Sequence, residues 1–174
     1  NFKAVEVDQD KVDYLVQEYP SLKPQLIHQD FLQIPAPFEG LFTVVGNFPY
    51  NISSPILFHL LEWRHQLQSV VGMFQKEVAQ RVAAPHGSKT YGVLSVLIQA
   101  FFDVNYLFDV GEGCFTPPPK VKSGVIRLVP RAQPLSMKSE KSFKLLVKTA
   151  FNQRRKTLRN ACKPLFAADV RSEE

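Results

Sequence analysis

Short β-branched runs alternate with longer stretches of helical spacing along this chain. Phe2–Val7, Leu26–Asp30, Thr43–Asn47 and Gln68–Met73 each hold a few apolar positions bounded by polar or turn-forming residues, the mark of buried strands. Between them the apolar positions recur every three or four residues. A helix is expected at about 9–18 with Asp8 as its N-cap, and another from Ser53 or Ser54 with Pro55 in its first turn. Further helices are expected from Gln75 through Val82 and over Leu94–Phe101, and two more strands near Val104–Phe108 and Val125–Val129. A series of β-then-α units closed by two strands in tandem predicts an α/β fold, with a mostly parallel sheet and an antiparallel hairpin at its edge.

The pattern changes after Val129. Residues 132–139 are polar and include Pro134, which predicts a linker between a main domain at 1–131 and a small helical domain at 140–174. If 141–163 were one helix, Lys141, Lys144, Lys148, Arg155, Arg159 and Lys163 would share a face, with Leu146, Val147, Ala150, Leu158 and Ala161 opposite; a break near Asn152 would make it two helices.

Charge follows the same division. The chain carries a net +5, yet Lys138–Lys163 holds nine Lys or Arg against Glu140 alone, a local +8, while residues 1–137 sum to −1. A neutral body with a basic tail suits a polyanionic partner, although such a run is more commonly a solvated helix face. At 174 residues and 45% hydrophobic, the chain can bury a core of its own. No apolar run approaches the ~18 residues of a membrane span and no signal-peptide pattern opens the sequence, so no membrane partner and a cytoplasmic location are expected. Cys114 and Cys162 lie far apart without metal-ligand spacing and are expected to be reduced and buried. The four histidines are scattered, and no metal is expected.

The chemistry concentrates where the Thr43–Asn47 strand stops in Asn47-Phe48-Pro49-Tyr50. Pro49 holds Phe48 extended and interrupts the ladder, leaving a backbone carbonyl free beside the Asn47 carboxamide. Two acceptors can then converge on one amino group, with the Tyr50 ring face next to them. That arrangement fits a flat base bearing an exocyclic amino group. The amino lone pair of adenine is delocalised into its ring, and two acceptors on its hydrogens favour the pyramidal, nucleophilic form without a metal or a strong base. Taken alone, the tetrapeptide is equally a loop with a turn-forming Asn and a half-buried Tyr. Glu6, at the C-terminal end of its strand, stands where an acid commonly accepts hydrogen bonds from ribose hydroxyls.

The surrounding blocks decide between these readings. Asn47-Phe-Pro-Tyr-Asn-Ile-Ser-Ser-Pro55, Phe74-Gln-Lys-Glu-Val-Ala-Gln-Arg-Val82, Ser88-Lys-Thr-Tyr-Gly92, Phe115-Thr-Pro-Pro-Pro-Lys-Val-Lys-Ser123 and Phe151-Asn-Gln-Arg-Arg-Lys-Thr-Leu-Arg-Asn160 occur in family order. With them the chain closely resembles the ribosomal RNA small-subunit adenine dimethyltransferase family over nearly its whole length. The resemblance implies a Rossmann-like class I methyltransferase fold and transfer of methyl groups from S-adenosylmethionine to the amino group of adenine. The implied partner is small-subunit ribosomal RNA in a pre-30S-type particle, and the implied state a monomer. It makes Asn47, Pro49 and Tyr50 the catalytic loop, with Asn47 also beside the cofactor. Glu6 would hold the cofactor ribose, Asp30 the amino group of its adenine, and Phe31 the face of that ring. Tyr50 and Phe115 would wall the target-base pocket, Phe115 being presented by the stiff run Thr116–Pro119. The C-terminal helices, with Arg154, Arg155, Lys156 and Arg159, would grip RNA, and the polar loop 84–90 is a further candidate contact.

Several departures from the family accompany these matches. The first strand, which would sit between those of Glu6 and Asn47, and the glycine-rich loop that cradles the methionine end of the cofactor are expected ahead of Asn1 and are absent here. Gly111-Glu-Gly113 does not replace that loop, because it leads into the Phe115 segment and not into a helix. The C-terminal domain also looks cut short, and Phe48 stands where the family usually has Leu. One rival is the related group that methylates large-subunit ribosomal RNA and confers macrolide resistance, against which the Phe151–Asn160 block argues. The other is a non-catalytic RNA-binding ribosome-assembly factor, which the missing glycine loop would favour.

Overall fold

Strand β1 (Ala4–Glu6) pairs in parallel with β2 (Leu26–His28), Glu6 lying opposite His28. The remaining strands form a separate sheet. There β3 (Phe42–Asn47) runs parallel to β4 (Leu67–Gln75), and the sheet continues through β6 (Ser123–Pro130) to β5 (Phe102–Val110), in the order β3-β4-β6-β5. These relations come from a computed structural model that describes residues 1–153 and 155–169. No ladder joins β1 to β3 among the described residues, and their free edges border a cleft at the place where the sequence reading puts a further strand.

The tandem strands pair in antiparallel fashion at one edge of the sheet, as expected, with the second of them on the inside. β6 inserts between β4 and β5 and runs against both, so β5 is the edge strand. Hydrophobicity accounts for the order. β6 brings fully buried Ile126 and Leu128 to the centre, whereas β5 shifts register between Tyr106 and Phe108 and leaves Leu107 and Phe108 exposed.

Helices α1 (Gln9–Glu18), α2 (Ser53–Glu62), α3 (Lys76–Ala83) and α4 (Val93–Gln99) fill the connections. Asp8 caps α1 as expected, its carboxylate accepting from the N–H groups of Asp10 and Lys11 at 3.0 and 3.3 Å. That bonding, led by the Lys11 N–H, holds the Asp8 carboxyl below its ordinary range. The serine cap expected for α2 is not made. A 3-10 turn at Tyr50–Ile52 precedes the helix, Ile52 takes the N-cap position without a side-chain bond, and the Ser53 hydroxyl turns back to the Tyr50 carbonyl at 3.0 Å. The buried Ser95 of α4 accepts from the Gly92 N–H and donates to the Arg81 carbonyl, tying α4 to α3.

The core sits between α2, α4 and the four-stranded sheet, around fully buried Leu57, Leu60, Phe74, Phe102, Ile126 and Leu128. Each such side chain contributes about 1.5–3 kcal/mol on leaving water, before conformational entropy is counted. On the outer strand, the Lys76 ammonium and the Tyr106 hydroxyl both bond to Asp109. The Lys76 bond, then that of Tyr106, holds the Asp109 carboxyl down; burial, followed by the bond to Asp109, pushes the Tyr106 phenol up to about 12.

The basic segment does break near Asn152, into α5 (Glu140–Asn152) and α6 (Leu158–Asp169). Val147 and Ala161 are buried as expected, but Leu146 and Leu158 are exposed, because two separate helices set their faces independently. Residues 131–139 run along the body, where the Leu135 N–H donates to the Ala100 carbonyl at 3.2 Å. Ser139 then caps α5, Phe143 packs on the core, and Arg64, just past the end of α2, pairs with Glu140 while its guanidinium lies 4.8 Å from the centre of the Phe101 ring. Cys162 is buried; Cys114 is exposed, contrary to expectation, because it ends a surface 3-10 turn beyond β5. Among the described residues no helix is long and apolar enough to cross a membrane, and no group of three or more His, Cys, Asp or Glu side chains is placed to hold a metal.

Candidate active site

Strand alternation sets up the loop after β3. The last pair of β3 with β4 is Asn47 opposite Met73, and the Phe48 N–H still donates to the Met73 carbonyl at 3.1 Å. Phe48 therefore points inward, where its ring stacks on Phe74 with centroids 5.0 Å apart and planes 25° from parallel. Asn47 points the other way and is exposed. Pro49, with φ −59° and ψ 132°, brings no N–H to the ladder. Neither the Asn47 carboxamide nor the Phe48 carbonyl is engaged in a hydrogen bond among the described residues, so the two acceptors expected at this loop are both free.

Tyr50 is half-buried and held at both ends. Its carbonyl takes the Ser53 hydroxyl, and its own hydroxyl bonds to that of Ser123. The second partner opens β6 and is fully buried, a residue to which the sequence reading assigned no part.

Two acids stand across the cleft. One Glu6 oxygen accepts from the N–H groups of Val7 and Asp8 at 2.9 and 3.0 Å, which fixes the carboxylate and leaves the other oxygen without a protein partner among the described residues. Asp30 is arranged alike: one oxygen accepts from the Leu32 N–H at 2.9 Å in an Asx turn, and the other is free among the described residues. Phe31 is wedged between Phe48, Trp63 and His59, with ring centroids 5.8, 5.2 and 5.6 Å away. His59 in turn bonds to the Ile34 carbonyl at 3.1 Å, so α2 holds the loop that carries Asp30 and Phe31. Trp63 was not singled out in the sequence, where it reads as the last apolar residue of α2.

A cleft of about 610 Å³ brings Glu6, Asp30, Phe31, Asn47 and Pro49 together, with Trp63 on its wall. Tyr50 lies just past its rim and does not line it. Phe115 is half-buried in the segment leading to β6, and no ring contact joins it to Tyr50 among the described residues. Arg155, Lys156 and Arg159 are exposed between and on α5 and α6, away from the cleft lining. Arg154 lies outside the described residues. A second hollow of about 620 Å³, between α2, α3, α4 and α5, is lined by Arg81, Lys89 and Lys148, with Arg81 paired to Glu77 at 2.7 Å. None of the residues expected to perform chemistry lies in it.

A cleft outside the carboxyl ends of parallel strands, with free acids on one side and an Asn-x-Pro-Tyr loop on the other, places the molecule among Rossmann-like methyltransferase folds. Comparison with known proteins narrows the class. The family model described as ribosomal RNA adenine dimethylase matches residues 1–173. Ribosomal RNA small subunit methyltransferase A of Parabacteroides distasonis is 54% identical over 168 residues, covering 95% of this chain and 63% of that protein. The protein of the same name from Flavobacterium johnsoniae is 51% identical over 177 residues, covering 100% of this chain and 68% of its own length. The solved structure of a dimethyladenosine transferase from Plasmodium falciparum superposes with a TM-score of 0.74 at 28% identity, covering 91% of this chain and 58% of that one. That of the 23S rRNA methyltransferase ErmE gives 0.75 at 24% identity, covering 93% and 66%, a likeness of fold. The chain belongs to the ribosomal RNA adenine dimethylase family. It spans about two thirds of the length of the curated relatives it matches.

Proposed function

We propose that the protein dimethylates the exocyclic amino group of adenines in small-subunit ribosomal RNA during ribosome biogenesis, with S-adenosylmethionine as methyl donor. The observation that carries this reading is the pair of free acceptors, the Asn47 carboxamide and the Phe48 carbonyl, at the mouth of a cleft that also holds two half-free carboxylates.

The residues present fit the cofactor. The free oxygen of Glu6 would take the ribose hydroxyls, that of Asp30 the adenine amino group, and the caged Phe31 ring the adenine face. When bound, S-adenosylmethionine supplies an electrophilic methyl carbon on its sulfonium. The chain's own part is to orient the nucleophile. Asn47 and the Phe48 carbonyl accept the two amino hydrogens of the target adenine, which turns the nitrogen lone pair out of the ring. Tyr50 offers the stacking face for a base extruded from its helix, and Phe115 is the second wall of that pocket. Pro49 keeps the Phe48 carbonyl out of the ladder. Arg154, Arg155, Lys156 and Arg159 hold RNA phosphates. The reading includes a cytoplasmic monomer working on a pre-30S-type particle.

Labelled-methyl transfer to undermodified small ribosomal subunits, followed by mapping of the modified base, tests the proposal. Label in dimethyladenine of small-subunit RNA is the expected result. In a parallel reaction with large-subunit RNA, label there and none in the small subunit would assign the protein to the macrolide-resistance type; RNA binding without label in either would make it an assembly factor.

A further inference from the structure

The hydroxyls of Tyr50 and Ser123 are bonded across 73 positions of sequence. Their settings differ sharply. Ser123 opens β6 with no exposed surface, between Gln75 of β4 and Val110 of β5, and the adjoining backbone is pinned by the Lys76 N–H donating to the Lys122 carbonyl at 2.8 Å. Its neighbour Gly124 allows no slack either, since a Cβ there would stand 2.5 Å from the Tyr106 hydroxyl and 3.0 Å from the Ala79 Cβ. Tyr50, by contrast, sits half-buried on a three-residue 3-10 turn, anchored through its carbonyl by Ser53. Anchoring the backbone still leaves the ring more than one staggered rotamer, among which a bond to its hydroxyl can select.

A serine with no exposed surface, at the head of a strand whose other buried positions carry no polar side chain, needs a reason. A buried hydroxyl without a partner costs stability, and Ser123 makes no other side-chain hydrogen bond among the described residues. Its partner is the one aromatic residue of the Asn47-Phe-Pro-Tyr loop that is not packed into the core. We propose that Ser123 is a positioning residue for methyl transfer: its buried hydroxyl holds the Tyr50 phenol and so fixes the plane of the ring on which the target adenine stacks. This rests on the reading of Tyr50 given above. The sheet interior thereby sets the orientation of a surface loop, with Ser53 fixing the turn and Ser123 the ring.

A merely structural bond and a positioning bond differ in what they change. Ser123→Ala and Tyr50→Phe remove the same bond from opposite ends, and Tyr50→Phe keeps the ring. With undermodified small subunits as substrate, each should lower kcat by about five- to a hundredfold, the scale of a misplaced reacting group, while KM for the subunit stays within about twofold. The double variant should be no slower than the slower single one, and Ser123→Thr should recover most of the rate. With 2-aminopurine at the target position, time-resolved fluorescence should show one dominant stacked lifetime in the parent and a spread of lifetimes in Ser123→Ala. Tyr50→Ala keeps the two claims apart. If it transfers methyl at the parent rate, the reading of Tyr50 itself fails. If it is inactive while Ser123→Ala and Tyr50→Phe both keep full kcat, Tyr50 stands and the positioning role of Ser123 is overturned. Should Ser123→Ala not fold, Tyr50→Phe decides alone.

Discussion

The Phe48 ring lies against Gly72, so close that a Cβ built on the glycine would stand 2.8 Å from the ring and 2.6 Å from Phe74. Gly46 faces the same ring from β3, at 2.8 Å. Two glycines on adjacent strands thus make the room in which the stacked pair sits, and Phe48 both stacks on Phe74 in the core and borders the cleft. Gly72→Ala should cost about 1–3 kcal/mol in urea denaturation, because the fully buried Phe74 ring has no free direction to move. Adding Phe48→Leu should return part of that loss. Additive costs in the double variant would show that the glycine is not there for the ring.

Asn47→Ala should slow methyl transfer on the order of 10²-fold or more while leaving RNA affinity nearly unchanged. On the proposed reading the carboxamide acts on the reacting amino group and touches no phosphate. Single-turnover rates together with a filter-binding isotherm check both halves, and a parent rate in this variant would sink the assigned chemistry.

Neutralising Arg154, Arg155, Lys156 and Arg159 together should weaken RNA binding and reduce its salt dependence by about 0.7–0.9 in log–log slope for each phosphate that is no longer paired with a cation. S-adenosylmethionine affinity, measured by calorimetry, should not move. An unchanged slope would mean that these charges are a solvated face of the C-terminal helices.

The lock formed by Lys76, Asp109 and Tyr106 predicts a pH window. Tyr106 is raised from 10.0 to about 12, so the folded state favours the neutral phenol. Its contribution is complete below pH 10 and is lost as pH rises from 10 toward 12. Urea midpoints measured across that range should fall for the parent and fall less for Tyr106→Phe. Spectrophotometric titration should find one tyrosine ionising well after the others.

What could be read from sequence was whatever is local. Asp8 caps α1 through bonds two and three residues away, and of the two arrangements the sequence leaves open for 141–163, the structure has the one that breaks at Asn152. The Asn47 loop was legible because a strand end and a proline sit side by side. The misses are relations across the fold. Ser53 looked like a cap and is bent back to Tyr50; Leu158 looked covered and is 68% exposed; Cys114 looked buried and lies on a surface turn. The inner position of β6 left no local signal, since an apolar strand reads the same at the edge of a sheet as within it. Trp63 and Ser123 escaped for the same reason. Their parts depend on Phe31 and Tyr50, which only the folded chain brings near.

The placing of β6 also bears on how the protein is made. Chain synthesis delivers β3, β4 and the Tyr50 turn long before residue 123 exists, yet β6 is one of the two inner strands of the sheet. Until that strand leaves the ribosome, β4 presents a bare inner edge to its surroundings, a liability for a nascent chain. Tyr50 meanwhile has no Ser123 hydroxyl to hold it. Sheet closure and alignment of the ring are a single late event, so a partly made chain carries the loop without the aim.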